Sequence, residues 1–377
     1  MEEAGVLTKQ VGYKEIEKIF VASLKNKASD IHIKPGMKIV FRVSTQLYDV
    51  GNKVYSKEEV KNMIYEIMTE KQIQIFEEQG SLDFAYSLEG IGRFRINVYK
   101  DRGNIAIAVR RVNTYIPSFK ELNLPEETLK KLAHYPSGLV LVVGPTGQGK
   151  STTLAAILQY INTTRRVHII TIEDPIEYLF TDEKAIINQR EVGIDVPTFS
   201  HALKYMLRQN PDVILIGEMR DAESVDAALV ASETGHLVFS TLHSNGAPQT
   251  IGRILDLFPA EKHDQIRQML AFNLRAVICQ KLLPSSKEGV KMVPVLEIMI
   301  VNPIIQKLIA EKEDKKIIDA IRGGQEEGMQ DFNQALYKWI KTGYLAEQVA
   351  LKASTHPEQL KMMLKGIILS EERKIIQ

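Results

Sequence analysis

The chain reads as an α/β protein in two parts. A small N-terminal α/β domain precedes a larger core with a mainly parallel sheet and a helical C-terminal region. Three observations predict this. Residues 1–112 mix amphipathic helical patterns with alternating strands. From residue 126, short apolar runs alternate with helical stretches, the pattern of a parallel sheet flanked by helices. Beyond Pro284 helical periodicity takes over, and the helical region is placed from about residue 285.

The bulk properties bound the function. At 377 residues the chain has room for two or three domains. Charged residues make up 25% and hydrophobic ones 44%, the balance of a globular protein. Lys and Arg total 48 against 47 acidic residues, a formal charge of +1, so global attraction to nucleic acid is not expected. The lone cysteine, Cys279, excludes an intrachain disulfide and is expected in a helix core. No apolar run approaches the ~18 residues of a transmembrane span. The start Met1-Glu2-Glu3 has neither a basic head nor an apolar region, so a cytoplasmic location is expected.

In chain order, Ile16, Ile19, Phe20 and Leu24 share a helical face. Ser29 to Ile33 alternates like a strand, and Lys38 to Val43 is a second candidate. Ser56 and Glu59 form a capping-box pattern before Val60, Met63, Ile64, Ile67 and Met68, a second amphipathic helix. The domain closes on a hairpin. Phe94, Ile96 and Val98 point one way, and Arg93 and Arg95 the other. After the turn Asp101-Arg102-Gly103-Asn104, Ile105, Ile107 and Val109 return in one register. If the apolar faces coincide, Arg93, Arg95 and Arg110 share the opposite face. That face is either a solvated surface or a guanidinium cluster aimed at phosphates. Residues 113–125, with Pro117 and Pro125, read as the linker to the core at 126–377.

The core is organised by Gly144-Pro145-Thr146-Gly147-Gln148-Gly149-Lys150-Ser151, which fits the G-x-x-x-x-G-K-[ST] pattern. The strand-like run Gly138 to Val143 precedes it, and a helical pattern begins at Ser151 and Thr152 and runs to Ile161. Glycines let backbone N–H groups surround phosphate oxygens, and the helix N-terminus adds positive potential. Lys150 is expected to reach β/γ-phosphates, and the Ser151 hydroxyl to ligate Mg²⁺. Two acidic segments follow strands: Glu173-Asp174-Pro175-Ile176-Glu177, and Gly217-Glu218-Met219-Arg220-Asp221. A carboxylate just past a buried strand suits Mg²⁺ or a water-activating base. Helix capping and surface ion pairing are the plainer readings. His236 and His243 bracket the strand Leu237 to Thr241. Seven steps at ~3.3 Å span roughly 23 Å, so the two cannot meet one phosphate within a subunit. His243 falls at the carboxyl end and is the candidate γ-phosphate sensor. His236 belongs to a subunit boundary or a satisfied core position.

Taken together and in this order, the four segments resemble the Walker A, aspartate-box, Walker B and histidine-box motifs of the secretion-superfamily ATPases. That family powers type II secretion and type IV pili. Ser29-Asp30-Ile31-His32 resembles the opening motif of the family's PAS-like N-terminal domain, and Ala320-Ile321-Arg322-Gly323-Gly324 a C-terminal signature of its pilus-retraction branch. The likeness runs over nearly the whole chain. Gln148 departs from the serine common in the loop. Neither the extra N-terminal domain nor the four-cysteine zinc module of the assembly and type II secretion branch is expected in this chain.

The resemblance implies a RecA-like core and a homohexamer that binds ATP and Mg²⁺ between the N-terminal domain and the core. It implies Arg93, Arg95 and Arg110 as phosphate contacts and Glu177 as the catalytic carboxylate. Glu218 would hold Mg²⁺, with Glu173 in support, although the residues alone do not divide these roles. The implied protein is a cytoplasmic motor at the inner membrane that acts on a pilus platform protein and withdraws pilin. An assembly or secretion ATPase, a nucleotide-gated scaffold and a nucleic-acid-translocating ring are the alternatives.

Overall fold

The computed structural model describes residues 12–44 and 46–366. The chain divides between Thr114 and Tyr115 into two compact units, each with its own core.

The first unit is a six-stranded antiparallel sheet with helices against one face. Its strands are β1 (Asp30–Ile33), β2 (Ile39–Val43), β3 (Gln46–Val50), β4 (Ser81–Leu88), β5 (Gly92–Asp101) and β6 (Asn104–Arg111), in the order β3-β2-β1-β6-β5-β4. The hairpin faces coincide. Ile96 pairs with Val109 and Val98 with Ile107, all buried. Helix Glu15–Lys25 lays Ile16, Ile19 and Phe20 on this face, with Phe20 stacked on Phe94 at 4.2 Å between centroids. Helix Lys57–Tyr65 starts on the Ser56/Glu59 capping box but stops before Met68. Thr69 and Gln72 form a second capping box there and open helix Glu70–Gln79. Ile67 and Met68 are still buried, which is why one apolar pattern runs through both.

The other face of the sheet carries a row of charges. Arg42, Asp30, Arg110 and Arg95 are successive cross-strand partners on β2, β1, β6 and β5. Asp30 accepts from Arg110 Nε at 2.8 Å and pairs with Arg42 Nε at 3.6 Å. Burial alone would raise the Asp30 pKa. The hydrogen bonds from Arg110 and Ser29 and the charges of Arg110 and Arg42 outweigh it and hold the carboxyl below its ordinary range.

The second unit is built on a seven-stranded sheet. Its strands are β7 (Gly138–Val143), β8 (His168–Glu173), β9 (Ile186–Glu191), β10 (Val213–Ile216), β11 (Leu237–Leu242), β12 (Leu274–Pro284) and β13 (Met292–Ile300). The order is β13-β12-β7-β11-β10-β8-β9, parallel throughout except for the β12–β13 pair. β7, β10 and β11 are buried along their whole length, as strands covered on both faces must be. Phe119 and Leu124, in the stretch expected as a linker, are buried in this unit's core.

Two expectations are corrected here. The region after Pro284 is not helical from the outset, because β13 pairs along β12 from Ala276↔Ile300 to Pro284↔Met292. Its run Val293-Pro294-Val295-Leu296 is continuously buried and carries no two-residue alternation. Cys279 sits in β12, not in a helix. Gly324 is the C-cap residue of helix Ile317–Gly323, with φ −92, outside the left-handed region. A Cβ there would lie 2.0 Å from Met329 Cε, so a side chain at this position would have to displace the end of Met329. From Pro303 onward the described elements are helical, ending with helix Pro357–Leu364.

Candidate active site

The sheet order brings the candidate segments together. The loop follows β7, and the ends of β11, β10 and β8 come next in space, bearing His243, Glu218, and Glu173 with Glu177. Their carboxyl ends share one edge of the parallel sheet, where ligands of such folds gather. A cleft of about 810 Å³ opens there. Thr146, Gly147, Gly149, Lys150, Ser151 and Thr152 line one side, and Glu173, Asp174, Glu177, Glu218, Arg220 and His243 complete it.

The loop ends at Gly149, whose φ of +78 lets it serve as N-cap of helix Lys150–Thr164. Lys150 Nζ donates to the carbonyls of Gly144 at 2.8 Å and Pro145 at 3.0 Å, so the ammonium rests on its own loop. Burial lowers its pKa, and the negative charges of Glu218 and Glu177 act in the opposite direction. Thr152 Oγ1 lies 2.9 Å from Tyr178 Oη, which joins the helix to the segment after β8.

Each carboxylate has a distinct setting. Glu218 is held twice: Arg220 Nε donates to Oε2 at 2.8 Å, and His243 Nε2 lies 2.9 Å from Oε1. Glu173 accepts from Thr171 Oγ1 at 2.6 Å and from Gln189 Nε2 at 3.2 Å. Burial of its carboxyl pushes the pKa up to about 7, against the opposing effect of those bonds and of the Glu177 backbone N–H. Glu177 is exposed to the cleft.

Gln189 was not foreseen. It also donates to Tyr178 O at 2.8 Å and accepts from Phe180 N at 3.0 Å, and so fixes the segment that carries Glu177. A lone polar residue in an edge strand carries no sequence signal of that task.

Not every candidate reaches the cleft. His236 lies at the opposite end of β11, where Nδ1 sits 2.9 Å from Ala231 O and its carbonyl accepts from Gly138 N. Gly144 and Pro145 meet Lys150 through their carbonyls, and Gln148 turns toward β12. Arg93, Arg95 and Arg110 lie in the first unit, with Arg95 and Arg110 paired across β5 and β6.

The arrangement suits a polyphosphate. A glycine loop, a helix N-terminus and an ammonium provide an anion cradle. Among the described residues no three His, Cys, Asp or Glu side chains converge on a point as a metal site. Ser151 and Glu218 both line the cleft, and one hydroxyl with one carboxylate is the kind of protein donor set that Mg²⁺ takes beside phosphates.

A strand–loop–helix of this form, with carboxylates at the ends of neighbouring parallel strands, defines a P-loop nucleoside triphosphatase. Residues 8–347 match the model of the family described as type II/IV secretion system protein. The chain belongs to that family and is one of its ATPases. It is 40% identical to the type IV pilus retraction ATPase PilT of Pseudomonas aeruginosa over 91% of this chain and 99% of that one. It is 41% identical to a twitching motility protein of Neisseria gonorrhoeae, over 85% of each. A crystal structure of the pilus retraction motor PilT with bound ADP superimposes with a TM-score of 0.85. There the identity is 43%, over 93% of this chain and 100% of that one.

Proposed function

We propose that the chain is an ATP-hydrolysing motor of type IV pilus retraction, working as a homohexamer at the cytoplasmic face of the inner membrane. The observation that carries the reading is the convergence of Lys150, Glu177, Glu218 and His243 on one cleft. It is supported by similarity along nearly the full length of a retraction ATPase. Backbone N–H groups of residues 146–151 hold the phosphates, and Lys150 leaves its loop carbonyls for the β/γ-phosphates. Ser151 and Glu218 would hold Mg²⁺, which neutralises charge on the β- and γ-oxygens. Glu177, exposed in the cleft, orients or deprotonates the attacking water, and Glu173 positions it through the backbone. His243 senses the γ-phosphate through its link to Glu218, and the guanidinium groups of Arg93, Arg95 and Arg110 contact phosphates. Different affinities of open and closed states for ATP and ADP drive the movement, which an inner-membrane platform protein converts into withdrawal of pilin.

Deletion of the gene with microscopy of surface pili tests the reading. Accumulated pili that do not retract are expected. Absent pili would assign the chain to assembly, and unchanged pilus dynamics would reject a pilus role.

A further inference from the structure

β12 reaches the phosphate loop mainly through Gln280, which is 2% exposed. Its carbonyl faces Gly144 so closely that a Cβ there would lie 2.5 Å from the oxygen. Its side chain crosses to the far end of the loop. Nε2 donates to Gln148 O at 2.6 Å, and Oε1 accepts from Thr153 Oγ1 at 2.7 Å. Gln148 reciprocates, its Oε1 accepting from Leu282 N at 2.7 Å. Partner chemistry fixes the Gln280 amide, because a flip would set its oxygen against the Gln148 carbonyl, two acceptors face to face.

We propose that Gln280 and Gln148 form an amide clamp that holds the loop in its phosphate-binding shape. Both are then positioning residues for nucleotide. The proposal rests on the reading of Gly144–Ser151 as the nucleotide site. The physical reason is preorganisation. The loop's N–H groups bind phosphate only when they converge, and an unclamped loop must be ordered at the expense of binding. Bound ATP orders the loop again, so affinity carries the effect and turnover at saturation does not. A net hydrogen bond is worth about a fivefold change in an equilibrium constant.

The test uses the full chain, with ADP binding by calorimetry and steady-state KM and kcat for ATP. Gln280→Met keeps length and burial but loses both amide bonds. Gln148→Ala loses only the bond to Leu282 N, and Thr153→Val only the Thr153 bond. The clamp predicts ADP affinity about fivefold weaker for both Gln280→Met and Gln148→Ala, each of which loses one side-chain bond between β12 and the loop. KM should rise in step and kcat stay within about twofold. Thr153→Val should bind ADP as the wild type does. Wild-type affinity in both glutamine variants overturns the clamp, as does a loss of kcat without a change in KM. Should Gln280→Met fail to fold, Gln148→Ala carries the test, since its side chain lies outside the buried core. A wild-type chain that does not bind ADP rejects the nucleotide-site reading itself, and the clamp with it.

Discussion

Glu218 and His243 meet across the ends of β10 and β11, with His243 Nε2 2.9 Å from Glu218 Oε1. The second oxygen of the same carboxylate is taken by Arg220 Nε at 2.8 Å. A carboxylate held at both oxygens is a poor candidate for a base that must reorient to take a proton from water. It is a good anchor for a hydrated cation. Glu177 has the opposite character, exposed in the cleft on a segment fixed by Gln189 and Glu173. The geometry therefore favours a division of labour that residue order alone left open.

Glu177→Gln should separate chemistry from binding. The amide keeps the size of the side chain and loses the anionic base, so ATP affinity should stay within a few-fold while single-turnover hydrolysis falls by at least about 10²-fold. Equilibrium binding and rapid-quench kinetics measure the two. If affinity collapses and chemistry per bound ATP survives, Glu177 has a structural task and the base lies elsewhere.

Glu173→Gln should flatten the dependence of stability on pH. The carboxyl has an ordinary pKa of 4.5 and a folded value of about 7. Between those values the folded state keeps a proton that the unfolded state has lost, so stability falls as pH rises through this window and levels off above it. The loss is on the order of 3 kcal/mol at pH 8. Glutamine cannot ionise and can still accept from Thr171 and Gln189. The variant should gain on the wild type between pH 5 and pH 8 in urea unfolding. An equal difference at both pH values would show that Glu173 is not held protonated.

Arg322→Ala tests whether the Ala320–Gly324 segment is a structural brace. Arg322 Nε donates to the buried Asp331 at 2.8 Å, and its other nitrogens reach Asp319 and Gln359. Asp331 in turn caps helix Phe332–Lys341. Removing the guanidinium leaves a buried carboxylate without its cation and should cost on the order of 2 kcal/mol in chemical denaturation. Unchanged stability and ATPase activity with lost pilus function would mark the arginine as a partner contact instead.

What the sequence revealed follows the range of the forces involved. The phosphate loop was legible because its chemistry is local and its spacing rigid. That Arg95 and Arg110 share a sheet face was legible because hairpin register follows from alternation and a short turn. Asp30, which ties Arg110 to Arg42, was invisible as a partner, since β1 lies 80 residues away in the chain from Arg110. β13 was missed because burial on both faces erases alternation. Gln280 bonds to a loop 132 residues away in the chain, Gln189 holds its partners at no regular spacing, and an amide looks the same whether it is solvated or clamped.

Arg95→Ala, finally, probes the phosphate-contact role proposed for the first unit's arginines. Arg95 lies 3.9 Å from Asp83 and is cross-strand partner to Arg110, so truncation leaves the Arg110–Asp30 pair in place. Fold and weak nucleotide binding should persist. Hydrolysis should fall sharply, because an arginine that stabilises transferred phosphoryl charge contributes on the order of 10³-fold or more. Mixing this variant with Lys150→Ala decides how the arginine is supplied. If it acts on a neighbouring subunit, mixed rings contain some sites with both groups intact and recover activity. If it acts within its own chain, every site lacks one group and the mixture stays inactive. Wild-type hydrolysis by single alanine variants at Arg93, Arg95 and Arg110 would leave the three as a solvated sheet face.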